Sequence, residues 1–226
     1  MPLNRFRRAV PGAALLAIAA VGLVQPAWAG AITHPANSFI PSFTGVKNGD
    51  LDVLSAFANY DGTNFTLGAT LNGTVGTTPN SSYVFGFNRG AGTNNFASIG
   101  NPGVVFDAVI TLTGAGVTGG RDLVSNTALT LPSGAATISG NSIQITVPGA
   151  LLPSKGRTPA EYGVNLWPRD NSQVGTAAIS EFAPDNSVFL VGATTAVPEP
   201  LSLSLLASGM VGVALARRRR PVAQPG

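Results

Sequence analysis

The sequence predicts an all-β protein, an antiparallel β-sandwich, between residues 30 and 193. Short segments of alternating apolar and polar residues recur in this part of the chain, and a period of two is typical of half-buried strands. Turn residues separate the segments, and no stretch of residues 30–193 shows the 3.6-residue period of an amphipathic helix. Many short strands share one core most simply as two packed sheets, and jelly-roll and immunoglobulin-like arrangements both fit.

Two β-hairpins are the clearest local predictions. A strand at 53–60 is followed by the turn Asp61-Gly62-Thr63-Asn64 and by a second alternating strand that begins at Phe65. The second hairpin covers 137–147, with Gly140-Asn141 at its turn.

The remaining strands are predicted from apolar segments alone. Tyr83, Phe85 and Phe87 alternate in one strand, and a Gly/Asn loop follows at 88–95. The apolar run 104–113 predicts a central strand covered on both faces, and an irregular stretch follows to residue 126. Segments 162–167 and 187–191 complete the strands, while 30–48 is predicted as an irregular lead-in.

Composition limits the function of this domain. Residues 30–193 hold six basic and nine acidic residues, a net charge of −3, so the domain offers no basic face to a phosphate backbone. Nucleic acid is therefore not an expected partner. The chain has no cysteine, so burial of a core rather than disulfides must stabilise the fold.

The first 29 residues predict a secretory signal peptide. Basic residues precede an apolar stretch at 13–24, and Ala27-Trp28-Ala29 gives a small-x-small cleavage site before Gly30. The secretory translocon is thus an expected partner, and the protein is expected to be exported.

The C-terminal segment, 194–226, combines three features. An uncharged run at 201–216 is long enough for a marginal transmembrane helix of about 24 Å. The four basic residues that follow the run would stay cytoplasmic; they are Arg217, Arg218, Arg219 and Arg220. Prolines keep the segment before the run extended and accessible; its residues are Val197, Pro198, Glu199 and Pro200.

This order of parts resembles the PEP-CTERM sorting signal of bacterial exported proteins. The resemblance implies recognition and processing by an exosortase near Pro198-Glu199-Pro200. It also implies an inner-membrane intermediate and then a cell-surface or extracellular location.

Three sequence segments of the domain resemble those of DOMON-like sandwiches, a group that includes family-nine carbohydrate-binding modules. They are residues 58–67, residues 145–152 and residues 162–171. The resemblance implies a sugar or a haem ligand. Haem held by histidine and methionine is excluded, because the histidine is His34 in the lead-in and the methionines are Met1 and Met210.

A sugar site needs an aromatic face beside polar groups that bind hydroxyls. The residues that offer this are Trp167, Arg169, Asp170, Asn171, Tyr60 and Asp61. The alternative is that Trp167 belongs to the core and that 169–171 is an ordinary loop.

Two other kinds of site receive less support. A hydrolase would need a pair of carboxylates, for which Asp107, Glu161 and Glu181 are available, and a serine triad would have to use His34 in the mobile lead-in. Calcium is conceivable at aspartates near turns, although no spacing matches a calcium loop; these are Asp50, Asp52, Asp61, Asp170 and Asp185. No catalytic residue, metal ligand or other cofactor is predicted.

The sequence therefore predicts an exported surface or matrix protein, processed by an exosortase, with a non-catalytic sandwich that binds extracellular polysaccharide. The alternative is a structural or adhesive surface protein without a small ligand. A secreted hydrolase is the third hypothesis, and the sequence supports it least.

Overall fold

In a computed structural model, which describes residues 30–193, the chain folds into two β-sheets packed face to face. The strands are β1 (Ala31–Thr33), β2 (Val53–Tyr60), β3 (Asn64–Leu71), β4 (Ser81–Asn88), β5 (Ala108–Thr113), β6 (Thr118–Asp122), β7 (Thr127–Leu129), β8 (Ala136–Ser139), β9 (Ser142–Pro148), β10 (Gly163–Asp170), β11 (Phe189–Leu190) and β12 (Gly192–Ala193). Short 3₁₀ helices lie at Gly49–Leu51, Ala97–Ile99, Gly149–Leu151, Pro159–Glu161 and Gly175–Ala178.

The two sheets are almost wholly antiparallel. The first has the order β1-β2-β3-β9-β8, with β12 also pairing with β2, and the second has the order β11-β10-β4-β5-β6-β7. Among the strands of the described residues, only β12 and β2 pair in parallel. The predicted all-β, sandwich-like architecture is confirmed at this level.

The main core lies between the sheets because alternate side chains of each strand point inward. Phe65 of β3 meets Phe87 of β4 with ring centroids 5.7 Å apart. It also stacks on Tyr162, just before β10, at 5.7 Å. All three rings are fully or almost fully buried, so they join the two sheets in one hydrophobic core.

Both predicted hairpins are present. In the β2–β3 hairpin, one carboxylate oxygen of Asp61 accepts hydrogen bonds from the backbone N–H groups of Thr63 and Asn64, each at 2.7 Å. These bonds lower the pKa of Asp61. In the β8–β9 hairpin, Gly140 has a φ of +59°, which glycine adopts without the Cβ clash of other residues.

The apolar run 104–113 is only partly a strand, which corrects the prediction of one continuous central strand. β5 begins at Ala108, while Val104 and Phe106 leave the sheet and pack on the outer face of the second sheet beside Trp167. Apolar character alone did not distinguish residues buried between the sheets from residues that cover one sheet from outside.

β6 lies in the stretch predicted to be irregular. Its residues 118–122 lack apolar alternation, so the strand has no period-two signal. A Cβ on Gly120 would lie 3.0 Å from Cδ1 of Ile110. The neighbouring strand therefore supplies the apolar side chain that fills this part of the core.

The two ends of the described chain lie side by side along β2. β1 pairs with residues 55–57 of β2, and β12 pairs with residues 59 and 60. Gly30 has a φ of +88°, and a Cβ there would lie 2.3 Å from the backbone nitrogen of Gly192. Only glycine fits this contact.

The predicted signal peptide, 1–29, and the predicted sorting segment, 194–226, lie outside the described residues. Among residues 30–193, no helix has the length and apolar character needed to cross a membrane.

Candidate functional site

An open groove of about 410 Å³ lies on the outer face of the second sheet. Its lining combines hydroxyl, amide, apolar and guanidinium groups, and the residues are Ser82, Val84, Phe96, Val109, Thr111, Thr113, Trp167, Arg169 and Asn171. Three of the six predicted ligand residues, Trp167, Arg169 and Asn171, therefore lie together.

Strand register explains why these residues share one face. Arg169 of β10 is aligned with Ser82 of β4, which is aligned with Thr113 of β5. The next outward row is formed by residues 167, 84 and 111 of the same strands. The side chains between these rows point into the core, as alternation in a strand requires.

Trp167 forms a wall of the groove rather than an open platform. Its side chain is only 3% exposed. It contacts Phe96 at 5.3 Å and Phe106 at 4.9 Å between ring centroids. The ring also lies over Gly86, where an added Cβ would be 2.5 Å from it. Trp167 thus belongs to a second apolar cluster, and a ligand in the groove meets only the border of its ring.

Arg169 and Asn171 form the polar end of the groove. Nε of Arg169 donates to the side-chain oxygen of Asn171 at 3.3 Å, and Nη2 donates to the backbone oxygen of Gly175 at 3.1 Å. Burial lowers the pKa of Arg169. The amide of Asn171 donates to the backbone oxygen of Asn80 at 2.8 Å and to Oγ of Ser82 at 2.9 Å. These bonds fix both side chains before any ligand arrives.

A second depression, of about 680 Å³, adjoins the groove. Thr113 and Asn171 line both spaces. The other lining residues are mostly small or polar: Gly76, Thr78, Pro79, Asn80, Ser81, Gly114 and Ala115. The two depressions share these residues and together form one open surface of polar and apolar groups rather than a closed pocket.

The other three predicted ligand residues lie elsewhere. Asp170 is buried, and its carboxylate accepts hydrogen bonds from the backbone and hydroxyl of Ser172. Asp61 closes the β2–β3 turn, and the adjacent Tyr60 donates to the backbone oxygen of Gly62 at 2.8 Å. This turn lies near Tyr162, at the end of the sandwich where β10 begins, whereas the groove lies along the second half of β10.

The three carboxylates considered for hydrolysis are in separate environments. Asp107 accepts from Nε of Arg89 at 2.6 Å, deep in the protein. Glu161 accepts from the backbone and hydroxyl of Thr158 at the start of a 3₁₀ helix, which lowers its pKa. Glu181 is fully buried, and burial raises its pKa to about 8. Each carboxylate therefore has its own structural partners.

A buried polar cluster beneath the lead-in was missed by sequence reasoning. His34, expected in a mobile segment, is buried, and its Nδ1 lies 3.0 Å from the hydroxyl of Ser38. That hydroxyl donates to Glu181 at 2.7 Å. Nε2 of His34 lies 3.4 Å from the carboxylate of Asp185, whose side chain is mostly exposed. The same hydroxyl lies 2.9 Å from the backbone oxygen of Pro35, so His34 shares it with two other hydrogen-bond partners, unlike the arrangement of a serine triad.

The aspartates considered for calcium are largely occupied by internal hydrogen bonds. Asp50 accepts from the backbone and hydroxyl of Thr78 at 2.8 and 2.6 Å. Asp52 accepts from the backbone of Asn37 and the amide of Asn72. Within residues 30–193, no three His, Cys, Asp or Glu side chains are grouped so as to hold a metal ion.

The fold and the groove define the class of this protein: a β-sandwich-like domain with an open groove of polar and apolar side chains on one sheet. A comparison with protein-family models finds no match, and comparisons with curated proteins and with solved structures find none either.

Proposed function

We propose that this protein is an exported cell-surface or extracellular-matrix protein that an exosortase processes, and that its domain is a non-catalytic module that binds polysaccharide. The observation that carries the binding proposal is the groove, because it joins a tryptophan border to fixed polar groups. Such a combination suits a sugar chain, whose C–H faces pack on rings while its hydroxyls need hydrogen-bond partners.

The shape of the groove also favours a polymer. The groove is open and continues into the second depression, so a chain could lie along it without its ends being enclosed. Small-molecule sites, in contrast, usually enclose most of the ligand surface.

Binding is tested with polysaccharide from the producing organism and the purified protein, by co-sedimentation with and without a calcium chelator. Thr111→Val removes a hydroxyl from the groove with little change of shape and should weaken binding about two- to tenfold. The matched control is Thr146→Val, an exposed position on β9 of the other sheet. Equal affinity of both variants and the wild type would contradict binding in the groove.

The sorting proposal rests on the C-terminal sequence and is tested separately. Replacing Pro198, Glu199 and Pro200 with alanines should abolish C-terminal processing and surface delivery in a host that has an exosortase. The control replaces Thr194 and Thr195 with alanine in the preceding linker. If the triple variant were processed and delivered like the control, the sorting proposal would be wrong.

The alternative, a structural or adhesive surface protein, is favoured by the burial of Trp167, which is 3% exposed. On that alternative, Trp167→Ala should cost about 3 to 5 kcal/mol of stability, and no polysaccharide should bind the wild type.

A further inference from the structure

Charge is distributed unevenly over the outer face of the second sheet. Residues 30–193 carry more acidic than basic residues, yet the outward strand positions around the groove include two arginines and no acid. By register these positions are Ser82, Val84, Gly86, Val109, Thr111, Thr113, Gly119, Arg121, Asn165, Trp167 and Arg169. Trp167, Val84 and Asn165 are buried, so the positive charge of these positions reaches solvent at Arg169 and Arg121.

Arg169 is the cation within the groove itself, and among residues 30–193 it has no carboxylate partner. The ion pairs of residues 30–193 use His34, Arg89 and Lys155 as their cations. Arg169 instead donates to an amide oxygen and a backbone oxygen, which are neutral. Its side chain is partly buried, so its charge is poorly solvated and not compensated within the described chain.

A guanidinium group in this state is suited to an anionic ligand. Its N–H groups form a planar fork that binds a carboxylate or sulfate through two parallel hydrogen bonds. Two of the nitrogens are already anchored to Asn171 and Gly175, so the group loses little conformational freedom when it binds. Preorganisation of this kind increases affinity.

Arg121 offers a second positive charge on the same face. It lies three strands from Arg169 and in another outward row, about 20 Å away by strand geometry. Its side chain is exposed and donates to the amide oxygen of Asn126. Only an extended ligand could contact both arginines.

We infer that the groove binds an acidic polysaccharide, with Arg169 binding the carboxylate or sulfate groups of the sugar chain. This inference rests on the proposed polysaccharide-binding function and adds the charge class of the ligand. Arg121 contacts acidic groups further along the same chain and contributes less, because its exposed charge is more strongly screened.

The test measures affinity by calorimetry with the purified full-length protein in a non-ionic detergent. The ligands are polygalacturonate, dextran sulfate, neutral dextran and single-stranded DNA. We expect at least tenfold tighter binding of polygalacturonate or dextran sulfate than of dextran, and weaker binding at high salt. The tighter of the two anionic ligands identifies carboxylate or sulfate as the group recognised.

Variants locate the binding charge. Arg169→Gln should weaken binding of the anionic polysaccharide about tenfold or more. Arg169→Lys keeps the charge but loses the fork, so its loss should be intermediate. Arg157→Gln is the matched control, because Arg157 is a partly exposed arginine in the loop after β9 that contacts the backbone of Glu161. A thermal melt of each variant confirms that it is folded.

The outcomes separate the two proposals. Equal binding of dextran and polygalacturonate, unchanged by Arg169→Gln, would overturn the acidic specificity and leave polysaccharide binding standing. Binding of DNA as tightly as the polysaccharides would overturn it as well, because it would show unspecific attraction of polyanions. If no glycan bound the wild type, including the polysaccharide of the producing organism, the proposed function itself would fail.

Discussion

Replacing Glu181 with glutamine should remove most of the pH dependence of folding stability between pH 5 and pH 7. Glu181 is 0% exposed; one of its oxygens accepts from the backbone N–H of Val53, and the other is hydrogen-bonded to the hydroxyl of Ser38. Burial, aided by the negative charges of Asp52 and Asp185, raises its pKa from 4.5 to about 8. The folded protein therefore keeps a proton that the unfolded chain loses above pH 4.5.

The sign and size of the effect follow from this difference. The stabilisation is fully present below pH 4.5 and is lost as the pH rises towards 8, because folding then requires uptake of a proton. With one proton and a slope of at most about 1.4 kcal/mol per pH unit, the free energy of unfolding should fall by about 2 to 3 kcal/mol from pH 5 to pH 7.

Glutamine is a close replacement, because its oxygen can accept from Val53 and its amide can donate to the hydroxyl of Ser38. The assay is urea unfolding at pH 5, 6 and 7, followed by tryptophan fluorescence, for the wild type and Glu181→Gln. His34 is the only histidine of the chain, and its Nδ1 lies 3.7 Å from Oε2 of Glu181. The comparison of glutamate with glutamine at position 181 is therefore repeated in proteins that carry His34→Gln. If the wild type and Glu181→Gln lost the same stability between pH 5 and pH 7, the reasoning would be refuted.

Two further substitutions test other parts of the structure. Arg89→Met should destabilise the domain by about 3 to 5 kcal/mol, because the buried Asp107 loses its cation at 2.6 Å and the buried Asp122 keeps only the more distant Lys155, at 3.8 Å. Urea unfolding against Arg157→Met checks this, and a loss no larger than that of the control would contradict it. Gly86→Ala should cost about 1 to 3 kcal/mol and shift the fluorescence of Trp167, because the new methyl group would lie 2.5 Å from its ring; an unchanged spectrum and stability would show that the ring does not lie on Gly86.

Strands with strong alternation were predictable from sequence, and strands that depend on their neighbours were not. The β2–β3 and β8–β9 hairpins combine alternation with a turn, and both have nearly the predicted bounds. β6 has glycines where a core strand usually has apolar residues, so its pairing with β5 decides its conformation. β1 is three residues of the lead-in that become a strand only through the edge of β2.

The groove was predictable in part for a similar reason. Trp167 and Arg169 lie two residues apart in β10, so the strand places them on one face, and Asn171 continues this spacing just after the strand ends. Asp170 is adjacent in sequence but points to the opposite face. Thr111 and Thr113 line the groove only because β5 pairs with β4. The sequence around these threonines has no feature that would reveal this pairing.

The parallel pairing of β12 with β2 has a mechanical and directional consequence. β12 runs towards the Tyr60 end of β2, so the chain leaves the sandwich at the end where β10 begins. Arg169 lies six residues along β10 from Gly163, about 20 Å from that end. A tether joined after residue 193 would hold the hairpin turn at Asp61 near its attachment and the groove further from it along β10. Tension on that tether would act first on the two residue pairs that join β12 to β2.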